Sequence, residues 1–272
     1  MSDAIREARL QLFDASIPGD LRLAERIHLE GVVAVRDSWS KALREPRIVE
    51  AEIHAAGARF ITPESASWPK GLRDLVAPPI GLTIRGEIPA GEIISIVGTR
   101  NPTHYGERVT RIIATGLVDH GFVIASGGAL GIDTEAHRSA LDCEGMTIAI
   151  IASGVAVDYP TSNKRLFSEI AARGAVISEV MPDVSARPER FLTRNRLIAA
   201  ISTGTIVVEA AYRSGSLRTA RDAAEMLRPV MAVPGPITSP ASEGCHRLIA
   251  DRTAEIVSSV ADVIDLLSPL SP

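Results

Sequence analysis

From residue 92 onward the chain alternates between short apolar runs and longer segments of helical spacing, and nothing else in it constrains the fold as strongly. The runs are EIISIV (92–97), FVIAS (122–126), MTIAIIA (146–152), AVISE (175–179), GTIVVEA (204–210) and PVMAVP (229–234). Helical segments lie between them near 105–119, 132–142, 162–173, 190–202 and 216–227. Short strands that are apolar on both faces, each followed by a helix, make parallel βαβ units with both sheet faces covered. Right-handed crossovers wind such units into a doubly wound, mostly parallel α/β sheet. EIVSSVADVIDLL (255–267) adds a short strand or turn and a last helix.

Ahead of this pattern, Leu21, Ala24, Ile27 and His28 recur at helical spacing, and Ile48, Ala51, Ile53 and Ala55 suggest another helix. Residues 1–60 are therefore expected to form a small helical region before a sheet domain spanning 61–267. The proline-broken stretch 57–86 predicts a strand, a loop and a second strand, anchored by Phe60, Trp68, Leu72 and Leu75. SPLSP (268–272) reads as a loose tail.

A length of 272 residues suits one large α/β domain with a small appendage. The net charge of −4 gives no global basic signal, so binding to a nucleic acid requires a local patch. Aromatic residues make up 4% of the chain, which leaves few candidates for stacking bases. Cys143 and Cys245 lie far apart, outside any metal-binding spacing, and are expected to be reduced thiols of a cytoplasmic protein. No stretch approaches the ~20 apolar residues of a membrane span, and the charged amphipathic N-terminus has no signal-peptide core.

In a doubly wound sheet, ligands bind outside the carboxyl ends of the strands, where the strand order reverses. Three loops expected there suit an anion. Gly98–Thr99–Arg100 follows the first run. SGGALGID (126–133) contains Gly127, Gly128 and Gly131, which let backbone approach a ligand, and Asp133, which can cap the following helix. RSGS (213–216) supplies Arg213, Ser214 and Ser216. No dinucleotide fingerprint and no Walker-type phosphate loop occurs in the required context, which excludes NAD and P-loop ATP; no cofactor is expected.

ARPERFLTRNR (186–196) places Arg187, Arg190, Arg194 and Arg196 close together, with Glu189 opposing. On a helix, Arg190 and Arg194 share a face while Arg196 turns away. Arg213 and Arg218 flank the third loop, and Lys164 and Arg165 open another helix. Gathered at one end of the sheet, these cations form a positive groove. A catalytic constellation does not emerge. His137 suits a helix-orienting hydrogen bond, and a catalytic role lacks a nucleophile partner. Glu209 suits either a base or the orientation of Arg213 or a loop N–H. His28, His54 and His120 lack ligand spacing, so no metal site is expected.

These pieces, in order, resemble the DNA-processing protein A family (DprA, also called Smf). The matching stretches are WPKGLRDLVAPPIGLTIRG, IVGTRNPTHYG, SGGALGIDTEAHRSAL, DYPTSNKRL, ISEVMP, FLTRNRLIAAIS, VVEAAYRSGSLRTA, AVPGPI and SEGCHRLI, spanning about 60–252. The resemblance implies an extended Rossmann-like domain that binds single-stranded DNA in a basic pocket. It also implies protection of incoming DNA, loading of the RecA recombinase in natural transformation, and a homodimer. Carried onto matching positions, the DNA contacts are Arg100, the backbone of Ser126, Gly127 and Gly128, Lys164, the Arg194–Asn195–Arg196 stretch, and Ser214 and Ser216. Arg190 and Arg213 join them as members of the basic groove.

Two departures from the family stand out. Many members carry a C-terminal winged helix, which this chain is expected to lack, and Leu130 stands where many have arginine. Leu248, Ile249 and Ile256 are the apolar candidates for a dimer or RecA surface. The rival reading is a Rossmann-like nucleotide phosphoribohydrolase with Glu209 as base. PGPIT (234–238) does not supply the PGGxGT loop of that class. A scaffold binding only proteins leaves the arginines and anion loops unexplained.

Overall fold

The computed structural model of the chain describes residues 3–268. Four helices come first: α1 (Asp3–Ala15), α2 (Leu21–Glu30), α3 (Val32–Asp37) and α4 (Pro46–Ala55). Two strands follow, β1 (Arg59–Ile61) and β2 (Leu82–Gly86). The alternating part begins with β3 (Ile93–Val97), α5 (His104–Asp119), β4 (Val123–Ser126), α6 (Ile132–Asp142), β5 (Thr147–Ile150) and α7 (Lys164–Arg173). It continues through β6 (Ala175–Ser178), α8 (Pro188–Ile201), β7 (Gly204–Val207), α9 (Ser216–Glu225) and β8 (Val230–Ala232). It closes with α10 (Glu243–Ala250), β9 (Glu255–Ile256) and α11 (Val260–Leu267). Of the expected tail 268–272, only Ser268 falls within the described residues.

The strands form one nine-stranded sheet in the order β1-β2-β6-β5-β4-β3-β7-β8-β9. From β6 to β9 every neighbouring pair is parallel. The β1–β2 hairpin joins the β6 edge antiparallel, which extends the doubly wound sheet as expected. Alternation along each strand sorts side chains onto two faces. Ile93 and Val97 of β3 face a cluster with Leu197, Ile198 and Ala200 of α8 and Leu217, Ala220 and Ala223 of α9. Ile94 and Ile96 face a second cluster with Ile113 and Leu117 of α5 and Ile132 and Ala136 of α6. Burial on both faces explains why these strands read as unbroken apolar runs.

The N-terminal helices have a small cluster of their own, built on Leu12, Leu23 and Val35. Leu10, Phe13, Val49 and Ile53 instead share a cluster with Phe60, Phe167 and Val176, so α1 and α4 also pack towards the sheet. The Phe13 and Phe60 rings meet at 5.0 Å between centroids. Leu248, expected at an interface, lies within the core beside α9 and β8, because α10 turns that side inward.

Helix ends follow local chemistry. Proline occupies the first turn of α4 and α8, where its missing N–H costs nothing. The α8 start at Pro188, two residues before the predicted 190, follows from this. Ser259 and Asp262 cap α11 reciprocally. The run GTIVVEA stops being strand at Val207, because the chain then bends to answer other partners. Val208 donates to the Val97 carbonyl, and Ala210 to the Ala241 carbonyl.

Candidate functional site

The strand order reverses at β3, which has β4 on one side and β7 on the other. Helix α5 leaves β3 towards one face, and α9 leaves β7 towards the other. Diverging connections of this kind open a crevice at the carboxyl ends of the strands. Helix α8 covers it on one side, since it returns from β6 across β5, β4 and β3. The resulting cleft has a volume of about 570 Å³ and is bordered by Gly98, Arg100, Ala129, Asp133, Arg187, Phe191, Arg194 and Ser214.

Glu209 holds the two diverging loops together. Its carboxylate accepts the Thr103 N–H at 2.9 Å and the Thr103 hydroxyl at 2.6 Å. Its backbone carbonyl accepts the Thr99 N–H at 2.7 Å. Position 106 is glycine because a Cβ there would collide with this carboxylate. Buried and hydrogen-bonded through both oxygens, Glu209 orients the start of α5, the loop N–H role expected for it.

The floor of the cleft is Arg194. Its guanidinium reaches over Gly127 and donates to the Ile150 carbonyl at 2.8 Å. A Cβ at Gly127 would collide with that guanidinium and lie 2.6 Å from Asp133 Oδ2, so only glycine leaves the two charges room. Burial lowers the Arg194 pKa to about 10, with Asp133 opposing the shift, so the group stays cationic at neutral pH. Burial likewise raises the Asp133 carboxyl, against the pull of Arg194. Instead of capping α6 from outside, Asp133 sits within its first turn and accepts the Ala129 N–H at 3.2 Å.

The rim is aromatic and cationic. The Arg100 guanidinium lies 4.8 Å from the Phe191 ring centroid, and that of Arg194 5.9 Å. Tyr159 completes the group, its ring 5.7 Å from Phe191. At the opposite wall, the Ser214 and Ser216 hydroxyls bond each other at 2.7 Å at the start of α9, and Asn195 donates to the Gly215 carbonyl at 3.1 Å.

The structure thus brings Arg100, Arg194, Asn195, Ser214 and Ser216 to one cleft. Ser126, Gly127 and Gly128 are buried beneath it, and the Ser126 hydroxyl donates to the Ile96 carbonyl at 2.6 Å. Lys164 stays outside, exposed and 3.9 Å from Asp158. Arg190 turns to the Ser185 carbonyl, and Arg213 is exposed beyond the cleft wall. Arg196 faces away altogether. Its Nη2 bonds both oxygens of Glu179 at 2.6 Å, and its Nη1 donates to the Ala77 carbonyl at 2.9 Å. Arg218 pairs with Asp222. Among the described residues, Arg100, Arg187 and Arg194 make no ion pair, whereas Lys164, Arg196 and Arg218 do.

Sequence reasoning left Phe191 and Tyr159 unassigned. A signal for the first was present: Phe191, Arg194, Asn195 and Ile198 recur at one helical face, and all border the cleft. His137 donates to Thr147, since that hydroxyl spends its own proton on the Ile124 carbonyl. The bond ties α6 to β5 rather than orienting α6 alone.

The model of the family described as DNA recombination-mediator protein A matches residues 59–268. The chain belongs to that family. Among curated members, DprA of Mycobacterium tuberculosis is 41% identical over 227 residues, covering 78% of this chain and 58% of that protein. The chain therefore spans little more than half the length of that relative. The crystal structure of DprA from Streptococcus pneumoniae superposes with a TM-score of 0.80 at 29% identity, over 97% of this chain and 98% of that one. A Helicobacter pylori DprA structure, described for its single-stranded DNA binding mode, matches with a TM-score of 0.69 at 32% identity, over 78% of this chain and 97% of that one. Five of the nine stretches quoted above contribute residues to the cleft, and the two DprA structures share the fold that positions them. No described helix of this DprA-family chain is long and apolar enough to cross a membrane.

Proposed function

We propose that the cleft binds single-stranded DNA without reading its sequence, and that the chain protects such DNA in the cytoplasm and delivers it to the RecA recombinase as a homodimer. The observation that carries the reading is a set of three arginines without ion pairs, Arg100, Arg187 and Arg194, that border the cleft with the half-buried Phe191 and face a single buried carboxylate there, Asp133. Guanidinium forks hold phosphates without discriminating bases, while an aromatic ring offers any unpaired base a stacking surface. Neither group reads a base edge. The likeness to a DprA described as binding single-stranded DNA supports the same reading. Ile256, half exposed on β9, is the most accessible of the three apolar positions proposed for a protein surface.

Titration of oligo-dT against salt tests the proposal. With three phosphate contacts, log K should fall against log salt with a slope of about −2, at roughly 0.7 per contact on a single strand. Arg100→Ala should flatten that slope by about 0.7 and weaken binding. Affinity of Arg100→Ala equal to that of the parent chain at low salt would overturn the pocket assignment; no binding of oligo-dT by the parent would overturn the function.

A further inference from the structure

The chain has three tyrosines, and the fold sets all of them on one edge of the sheet. Tyr105 opens α5 just after β3, Tyr159 follows β5, and Tyr212 follows β7. They are 41%, 48% and 58% exposed. A tyrosine ordinarily buries its ring and leaves its hydroxyl wet, so half-exposed rings confined to the carboxyl ends of parallel strands call for an explanation other than packing. Tyr159 borders the cleft already described, but Tyr105 and Tyr212 do not. They stand beyond it, over the β3, β7 and β8 ends.

The Tyr105 hydroxyl donates to the Pro234 carbonyl at 2.6 Å, which pins the ring beside the loop after β8. On that loop Ile237 is 90% exposed. The segments 98–105, 210–216 and 234–242 contain Arg100 and Arg213; the carboxylates that flank them are Glu209, buried and bonded to Thr103, and Glu243, which opens α10. The nearest carboxylate along α5, Glu107, turns to His104 at 3.5 Å. Arg213 is exposed and makes no ion pair among the described residues. Exposed aromatic rings, an exposed aliphatic side chain and an arginine without an ion pair are what a nucleic-acid strand with unpaired bases requires of a surface.

We infer that a single strand leaving the cleft at Phe191 and Tyr159 continues past Arg100 along the carboxyl edge, where Tyr212 and Tyr105 stack further bases and Arg213 meets the backbone. The inference rests on the single-strand reading of the cleft. In the sheet, β4 and β3 separate β5 from β7. Strand spacing of ~4.8 Å puts the tyrosine-bearing ends of β5 and β7 about 14 Å apart. That span accommodates roughly four nucleotides at a ~3.4 Å rise. The edge therefore forms a second subsite, engaged only by oligonucleotides long enough to run beyond the cleft.

A length series separates the two subsites. Affinities for dT4 and dT12 are measured at low salt for the parent chain, Tyr212→Ser, Tyr212→Phe and Arg100→Ala. Tyr212→Ser should weaken dT12 roughly five- to a hundredfold, as loss of one stacked base does, and leave dT4 within twofold. Tyr212→Phe should retain the parent affinity, since the ring and not the hydroxyl acts. Arg100→Ala should weaken both lengths. Unchanged dT12 affinity in Tyr212→Ser, or equal weakening of both lengths, would overturn the second subsite while leaving the cleft assignment intact. Failure of the parent chain to bind either length would overturn both.

Discussion

Arg194 and Arg196 stand two residues apart on α8 and carry the same side chain, yet the two sides of that helix use it for opposite ends. Two helical steps rotate a side chain by about 200°, so one arginine faces the cleft and the other the packing of α8 on the connector before β2. Arg196 meets Glu179, the residue that follows β6, and its charge is neutralised by a doubly bonded carboxylate. Arg194 meets a carbonyl and an aromatic ring, and its one nearby carboxylate, the buried Asp133, stands across Gly127 beyond ion-pair distance. A basic run in a sequence is therefore not a basic patch. Counter-charges brought by distant segments decide which of its members remain available to a ligand.

The comparison breaks most visibly at Arg196. Removing one partner of a buried pair leaves the other uncompensated, so Arg196→Ala should cost about 3–5 kcal/mol in denaturant unfolding. The same variant, where still folded, should bind oligo-dT like the parent. Replacing both partners, as Arg196→Met with Glu179→Leu, should recover most of the lost stability. On the other side of α8, Gly127→Ala should cost up to about 3 kcal/mol by overpacking. Its more telling effect is on DNA: the displaced Arg194 guanidinium should lower oligo-dT affinity to that of Arg194→Met. An unchanged affinity in Gly127→Ala would show that Arg194 does not act from the cleft floor.

His137 sharpens the contrast, since it lies on the Arg194 side. Burial, aided by the Arg194 charge, lowers its pKa to about 3. Below the ordinary histidine value of ~6.5 the unfolded chain takes up a proton that the native state refuses until about pH 3, so this group's contribution to stability is lost as pH falls through that window. At pH 5 the loss amounts to about 2 kcal/mol. His137→Asn, which keeps a donor for Thr147, should lose correspondingly less stability between pH 7 and pH 5 in paired denaturant titrations. The smallest effect belongs to Lys164. Exposed and loosely paired with Asp158, it should change stability by less than about 0.5 kcal/mol on substitution by alanine, and oligo-dT affinity by less than twofold.

Much of the scaffold was legible from residue order. The α6 boundaries fall where the pattern put them, 132–142, and the strand in each apolar run starts within one residue of the run's start. Parallel winding then implied that Gly98, Gly127 and Ser214 lie at the same end of the sheet. Legibility ended where a side chain's partner comes from elsewhere in the chain. Glu209 was compatible with a base or with holding a loop N–H, and only the bend after β7 puts both of its oxygens on Thr103. Aromatic content said nothing of position, for a related reason. A fraction of 4% counts rings and does not place them, and only the fold sets Phe191 and all three tyrosines beyond the carboxyl ends of the strands.

The sequence by itself determined the sheet, its two-sided burial and its family, because these rest on hydrophobic periodicity and on ordered local motifs that each segment carries alone. Tertiary structure decided which cations keep their charge for a ligand, which glycine yields its space to Arg194, and which rings face solvent. Each of those outcomes depends on the approach of segments far apart in the chain, Glu179 to Arg196, Gly127 to Arg194 and Arg100 to Phe191, and electrostatic neutralisation and close packing act over distances in space, not along the sequence.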